Sequence, residues 1–284
     1  MLDSPYTDLS RPPLSQAALR RAVLRPGALW TELRVVRRTG STNADLVSAA
    51  RQGAAEGTVL IAEQQVAGRG RLDRTWEAPA RAGLTLSIVL RPSEPVPAWD
   101  WPGVPSSRYG WLPLLAGVAL VDVVRRLGEV DAGLKWPNDL LVGGAKCAGI
   151  LAEVVPDGPD PAVVLGIGLN VSQHREELPR ADATSLAIAE SACVDRDPLL
   201  RALLREFADR YRDWRATGGD PVASGSRERY FNCSDTLGRQ VRVLLPGGDD
   251  LVGDAVDIDN QGRLVVASGG DRTAVAAGDI VHLR

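Results

Sequence analysis

Nine consecutive residues, Gly68-Arg69-Gly70-Arg71-Leu72-Asp73-Arg74-Thr75-Trp76, combine three guanidinium groups, two glycines and an indole. Guanidinium groups are planar, permanently charged forks that match carboxylate and phosphate oxygens. Glycines let main-chain N–H groups approach such an anion, and an indole offers a flat face to a base. The run is suited to capturing a nucleotide-like anion. Fixing nine residues costs roughly 9–18 kcal/mol of backbone entropy, against apolar burial from Leu72 and Trp76 alone. Residues 68–75 are therefore expected to be mobile by themselves and to order around an anion. A solvated basic loop has the same composition; the position between two apolar, strand-like runs favours a site.

Four other segments carry chemistry. Lys146 heads the apolar run Lys146-Cys147-Ala148-Gly149-Ile150-Leu151. Strand alternation predicts that Lys146, Ala148 and Ile150 share a face. An ammonium aimed at a sheet face needs an anionic partner; a strand-end lysine reaching solvent is the alternative. Gly166 and Gly168 stand two apart in Val164-Leu165-Gly166-Ile167-Gly168-Leu169-Asn170. They would leave one face bare for a flat ligand, with Asn170 at its end, unless they only allow close packing. Lys135-Trp136-Pro137-Asn138-Asp139 places two polar side chains at a turn, where capping is their usual task. Ser41-Thr42-Asn43 offers hydroxyls that helix capping also explains, and Gln65 precedes the arginine loop.

The elements holding these residues follow from pattern. Residues 14–24 read as a short helix halted by Pro26-Gly27, and 32–37 as a half-exposed strand. Ser41 or Thr42 caps a helix through Ala50, with Thr42-x-x-Asp45 resembling a capping box and Gly53 the stop. Strands at 58–65 and 84–91 flank the arginine loop. Residues 92–107, with five prolines, are irregular. A buried helix at 109–127 ends at Gly128; then come 134–136, 140–142, a Gly143-Gly144 hairpin turn, 146–155 and 162–170. Successive hairpins mean a mixed, largely antiparallel sheet with packed helices, an α+β fold. Asp197-Pro198 opens a helix whose apolar face carries Leu200, Leu203, Leu204, Phe207, Tyr211 and Trp214. From about 234, runs at 237–245, 250–257, 263–267, 273–276 and 280–283 read as a small appended β-barrel. The division expected is 1–233 and 234–284.

Composition narrows the classes. A net charge of −3 over 284 residues speaks against general nucleic-acid affinity, so the arginine cluster is a local device. Cys147, Cys193 and Cys233 are scattered, and His174 and His282 are the only histidines. A zinc site is not expected, and the odd thiol count fits a reducing cytoplasm. Asp3, Pro5 and Asp8 stand where a secretory leader needs an apolar core. The longest apolar stretch, 112–124, is broken by Pro113 and Asp122 and is too short for a membrane span.

Together the motifs at 68–76, 135–139, 146–151 and 166–170, preceded by Ser41-Thr42-Asn43, resemble those of biotin protein ligases, in the same order. The resemblance spans about residue 31 to the C-terminus. Two departures stand out: Asp73 adds a carboxylate to the loop, and Cys147 replaces the more usual leucine. The resemblance implies a catalytic fold shared with lipoate ligases and class II aminoacyl-tRNA synthetases, followed by a Src-homology-3-like barrel. It implies ATP-dependent formation of biotinyl-5′-AMP, then transfer of biotin to a lysine of a biotin carboxyl carrier domain of an acyl-CoA or pyruvate carboxylase. Mg²⁺ would travel with ATP, without zinc, haem, flavin or a protein-held metal. By the same resemblance Lys146, Arg69, Arg71 and Asp139 are catalytic. Ser41, Thr42, Asn43, Gln65, Gly68, Arg69, Lys146, Gly149 and Gly168 would contact biotin, and Arg71, Arg74, Trp76, Asn138, Lys146 and Asn170 the nucleotide. Asp139 is the candidate base for the acceptor lysine, with Mg²⁺ binding or structural support as its rivals. A lipoate or octanoate ligase and a non-catalytic biotin-binding module are the alternatives. A biotin-responsive repressor is disfavoured, since about 30 residues precede the first strand where a winged helix needs roughly 60.

Overall fold

The computed structural model describes residues 10–72, 74–156, 160–245, 250–276 and 278–283; Asp3, Pro5, Asp8 and Asp73, cited above, lie outside them. The first part of the chain forms α1 (Gln16–Val23), β1 (Glu32–Val36), α2 (Thr42–Arg51), β2 (Thr58–Ala62), β3 (Gly83–Leu90), α3 (Trp111–Gly128), β4 (Ala132–Lys135), β5 (Asp139–Val142), β6 (Ala145–Val155) and β7 (Ala162–Asn170). Then follow α4 (Arg196–Ala216), α5 (Ser226–Phe231), β8 (Gln240–Leu244), β9 (Asp250–Ile258), β10 (Leu264–Ser268), β11 (Asp271–Val275) and β12 (Asp279–His282). Helix α1 starts later than expected because Ser15 caps it, accepting from the Ala18 amide. Strand β8 begins only at Gln240, after a turn in which Gly238 takes φ +80°. The α5 helix and the first half of β4, Ala132 and Gly133, were not expected; α5 is a single short piece without a readable period.

Strands β1 to β7 make one sheet in the order β1-β2-β3-β7-β6-β5-β4. β1 and β2 are parallel and every other pairing is antiparallel, so the sheet is mixed as expected. Gly143 and Gly144 turn β5 into β6 with φ +56° and +78°, the left-handed pair that a two-residue hairpin demands. One sheet face packs against α1, α3 and α4 around Leu86, Ile88, Leu165, Ile167, Leu203 and Phe207. The other face is covered by α2 at one end only, where Leu46 and Ala50 meet Leu60, Val89, Val155 and Val164. Beyond the N-terminus of α2 the register aligns Thr85, Gly168, Gly149 and Asp139 in one cross-strand row. That row, left bare by α2, is the floor of the site.

The remaining strands form an antiparallel sheet ordered β11-β10-β9-β8-β12, consistent with a Src-homology-3-like barrel. Its inner face buries Val241, Val243, Ala255, Ile258, Leu264, Val266 and Ile280. Two buried indoles fasten it to the first sheet and its helices: Trp111 Nε1 donates to Asp259 O at 3.1 Å and Trp136 Nε1 to Gly262 O at 3.2 Å.

Candidate active site

Strict alternation fails where it matters most. Leu140 pairs with Ala148 but Leu141 pairs with Lys146, so Cys147 is an extra residue in β6. This bulge sends both Cys147 and Ala148 into the core and turns Lys146 to the opposite, open face. Lys146 therefore shares a face with Gly149 and not with Ala148 and Ile150: a Cβ built on Gly149 would stand 3.6 Å from Lys146 Nζ. Burial pushes the Cys147 thiol up to about 12, and its Sγ donates to Asn170 O, so it is a core group without nucleophilic character. The ammonium of Lys146 has its anionic partner in Asp139, with Nζ 2.6 Å from Oδ1.

The arginine loop is a hairpin over this row. Arg69 pairs with Thr75, the Gly70 amide donates to Arg74 O, and the Trp76 amide donates to Gly68 O at 2.9 Å. Glycine is required at 68, because a Cβ there would lie 2.2 Å from Trp76 O. Trp76 folds inward across the row, so that a Cβ on Gly168 would stand 2.4 Å from its Cε2 and one on Gly149 3.2 Å from its Cζ3. Arg71 reaches across the site, donating to Asn138 Oδ1 at 3.1 Å and to Gly278 O at 3.4 Å. Burial lowers the pKa of its guanidinium, while the Asp279 and Asp139 carboxylates work against that. Arg74 pairs with Asp279, and Arg69 lies 3.9 Å from Glu153. Asn138 also donates to Ile150 O at 2.9 Å, which fixes its amide for Arg71.

At the far end, Ser41 caps α2 by accepting from the Ala44 amide. The expected Thr42-x-x-Asp45 box does not form: the Asp45 carboxylate accepts from the Thr39 hydroxyl instead. Thr42 donates twice to Gln65 Oε1, from its amide at 2.8 Å and its hydroxyl at 2.9 Å. The Gln65 orientation is thereby set, with Nε2 turned toward Gly68. A cavity of about 450 Å³ opens beside Gln65, Gly68 and Trp76, walled also by Pro79 and Leu178.

Two sequence-predicted contacts are spent within the protein. Asn43 Oδ1 accepts from Ser87 Oγ at 2.6 Å and its Nδ2 donates to Glu153 at 2.7 Å. Its amide fills the space beside Gly166, where a Cβ would come within 2.1 Å of Oδ1, so only Gly168 of the glycine pair faces the row. Asn170 donates to Thr184 O and accepts from Gln173 Nε2, tying β7 to the loop after it. Asn43 thus ties Ser87 to Glu153, and Asn170 ties Thr184 to Gln173. Sequence reasoning missed Ser87, Glu153, Gly278 and Asp279. Each acts across long separations that no local pattern announces.

The comparisons with known proteins converge on the same assignment. Residues 35–170 match the biotin/lipoate A/B protein ligase family and residues 236–283 the biotin protein ligase C-terminal domain. A biotin–[acetyl-CoA-carboxylase] ligase of Mycobacterium tuberculosis is 49% identical over 98% of each chain. The bifunctional ligase/repressor BirA of Escherichia coli is 32% identical over 75% of this chain and 63% of its own. Among solved structures, a biotin protein ligase from Aquifex aeolicus in complex with biotin and ATP superposes with a TM-score of 0.69 at 24% identity, covering 90% of this chain and all of that one. That likeness establishes the fold, and the mycobacterial match establishes descent. The chain belongs to the biotin/lipoate A/B protein ligase family, with the biotin protein ligase C-terminal domain.

Proposed function

We propose that this chain joins biotin to a lysine of a biotin carboxyl carrier domain at the expense of ATP. The observation that carries the reading is Lys146, turned by the Cys147 bulge onto the open row and held 2.6 Å from Asp139, with Arg71 reaching over the same ground. In the first step a biotin carboxylate oxygen attacks the α-phosphorus of ATP, giving biotinyl-5′-AMP and pyrophosphate. In the second the acceptor amine attacks the acyl carbon, the C–O bond to phosphate breaks, and AMP leaves. Both steps gather negative charge, which fixed cations stabilise.

Lys146 would bridge the biotin carboxylate and the α-phosphate, exchanging Asp139 for them. Arg69 and Arg71 would neutralise phosphate, with the loop closing over the mixed anhydride to exclude water. Gln65 Nε2, whose oxygen is already engaged, is a donor for the ureido carbonyl, and Ser41 and Thr42 would complete that end. Trp76 supplies a flat face beside the row, and Asn138 orients Arg71 for the nucleotide. Mg²⁺ would be carried by the ATP phosphates.

The acceptor amine, with a free pKa near ~10.4, is unprotonated in about one molecule in a thousand at neutral pH, a handicap of roughly 4 kcal/mol. Asp139, released when Lys146 turns to the substrates, would take that proton. The acceptor we expect is the carrier domain of an acyl-CoA or pyruvate carboxylase, in a cytoplasmic setting; no described helix is long and apolar enough to cross a membrane. We take 1–233 as the catalytic unit and 234–284 as the second. Pyrophosphate exchange into ATP that needs biotin and ignores lipoate tests the reading; exchange with lipoate alone would overturn it.

A further inference from the structure

The C-terminal sheet meets the arginine loop at Gly278 and Asp279, where β12 begins. The three guanidiniums of the loop are held in three different ways. Arg69 is 60% exposed and its carboxylate partner Glu153 stands off at 3.9 Å. Arg71 rests on two neutral oxygens, the Asn138 amide and the Gly278 carbonyl. Arg74 has a carboxylate, Asp279, in direct contact. An anion gives a guanidinium charge–charge attraction that a neutral carbonyl or amide oxygen does not supply. A phosphate replacing the partners of Arg71 therefore offers a clear gain, whereas Arg74 would only trade one anion for another. Exchange on phosphate binding is favoured at Arg71 and disfavoured at Arg74. The field of Asp279 also extends to Arg71, where it is the foremost of the carboxylates opposing the effect of burial.

We propose that Asp279 is a positioning residue for adenylation: through Arg74 it fastens the arginine loop to the C-terminal sheet and so fixes Arg71 beside Asn138 and Lys146. The inference rests on the ligase reading above and gives the C-terminal sheet a part in closure over the nucleotide. It also moves Arg74 from the nucleotide contacts to the anchor of the loop. A purely structural Asp279 would lower stability and depress every kinetic constant together. A latch acts on the nucleotide side, because the Gln65 end of the site is organised by Thr42 and not by β12.

The test is biotin-dependent pyrophosphate exchange on wild type, Asp279→Asn, Arg74→Gln, and the charge exchange Asp279→Arg with Arg74→Asp. Arg74→Gln approaches the contact from an exposed side chain and guards against a β12 variant that fails to fold. We expect either single change to raise KM for ATP about three- to tenfold at low ionic strength. Biotin affinity and melting temperature should stay near wild type, preformed adenylate should escape faster, and the charge exchange should restore most of the loss. An active wild type whose KM for ATP is untouched by both single changes overturns the latch alone. Equal losses in biotin affinity and ATP KM, or no recovery in the exchanged pair, also overturn it. A wild type with no biotin-dependent exchange sinks the ligase reading and the latch with it.

Discussion

Two arginines of this molecule, Arg215 and Arg71, show how the same group is built for permanence or for exchange. Arg215 is fully buried in α4 and donates to Glu56 at 3.2 Å, to Tyr211 Oη at 3.0 Å and to the carbonyls of Arg91 and Glu94. Its guanidinium carbon lies 5.1 Å from the Trp101 ring centre. Tyr211 in turn donates to Glu56 at 2.6 Å. Burial raises the Glu56 pKa, with Arg215 and the Tyr211 hydroxyl pulling against it. Arg71 is half-buried and touches two neutral oxygens on separate segments. A buried, multiply partnered cation has nothing to gain by moving. One resting on neutral acceptors at the edge of solvent gains from a phosphate.

The largest effect should come from the permanent cluster. Arg215→Met leaves Glu56 buried without its counterion, which costs about 3–5 kcal/mol of unfolding free energy. The sign with pH follows from Glu56. Its folded pKa is already raised, so between the unfolded and folded values the native state binds the extra proton and stability falls as pH rises. Removing Arg215 raises that folded value further, so the deficit relative to wild type should widen with rising pH. Urea unfolding at several pH values measures this, while KM for biotin and ATP in the folded fraction should stay unchanged. A KM shift would break the comparison by making Arg215 part of the site. Next in size, Lys146→Ala should slow adenylate formation about 10²–10³-fold while unfolding free energy stays within about 1 kcal/mol. Activity within tenfold of wild type would remove Lys146 from the chemistry.

What could be read from sequence in these two regions differs for a physical reason. The α4 face from Leu200 to Trp214 is a local period, and Gly143-Gly144 is a local turn, so both were legible. The arginine loop stands out by residue type, but the hairpin that Arg69, Gly70 and Trp76 close was not legible, since 68–75 was expected to be mobile by itself. Nor was the face taken by Lys146: it depends on how β6 registers against β5, and the Cys147 bulge has no signature in the residues around it. The bond from the Asn43 amide to Glu153, 110 positions away, was not legible either. Asp279 lies 205 positions from Arg74, beyond the reach of any pattern.

A middle-sized effect sharpens the contrast on the exchangeable side. Gly168→Ala puts a methyl group 2.4 Å from Trp76 Cε2, so the indole must move off the row. A strand position ordinarily gains about 0.5–1 kcal/mol from such a change, which should leave stability level or slightly raised. Biotin binding, in contrast, should weaken about tenfold, read by titration without nucleotide. Unaltered binding would mean that the ligand does not lie on this row.

The smallest effect concerns His282, on the same strand as Asp279. The Trp136 amide donates to Thr236 Oγ1 at 3.0 Å, and that hydroxyl stands 3.1 Å from His282 Nε2. The Thr236 hydroxyl can donate to Nε2 while accepting from Trp136, which suits a neutral imidazole. Burial, then the nearby charges of Lys135 and Arg239, lower its pKa from 6.5 to about 4. The unfolded chain therefore binds a proton that the folded chain refuses between those values. The stability in question is fully present above about pH 6.5 and is lost as pH falls toward 4. Solvent screening at a half-exposed ring holds it below about 1 kcal/mol. His282→Gln keeps an acceptor for Thr236 without a titrating group, so the wild-type deficit relative to this variant should grow between pH 6.5 and 4. Parallel pH profiles for the two proteins would show that the Trp136–Thr236–His282 chain does not couple the Lys135–Asp139 turn to the C-terminal sheet. Divergent profiles with unchanged ATP KM at neutral pH would place the pH-sensitive joint beside the latch but outside the reaction surface.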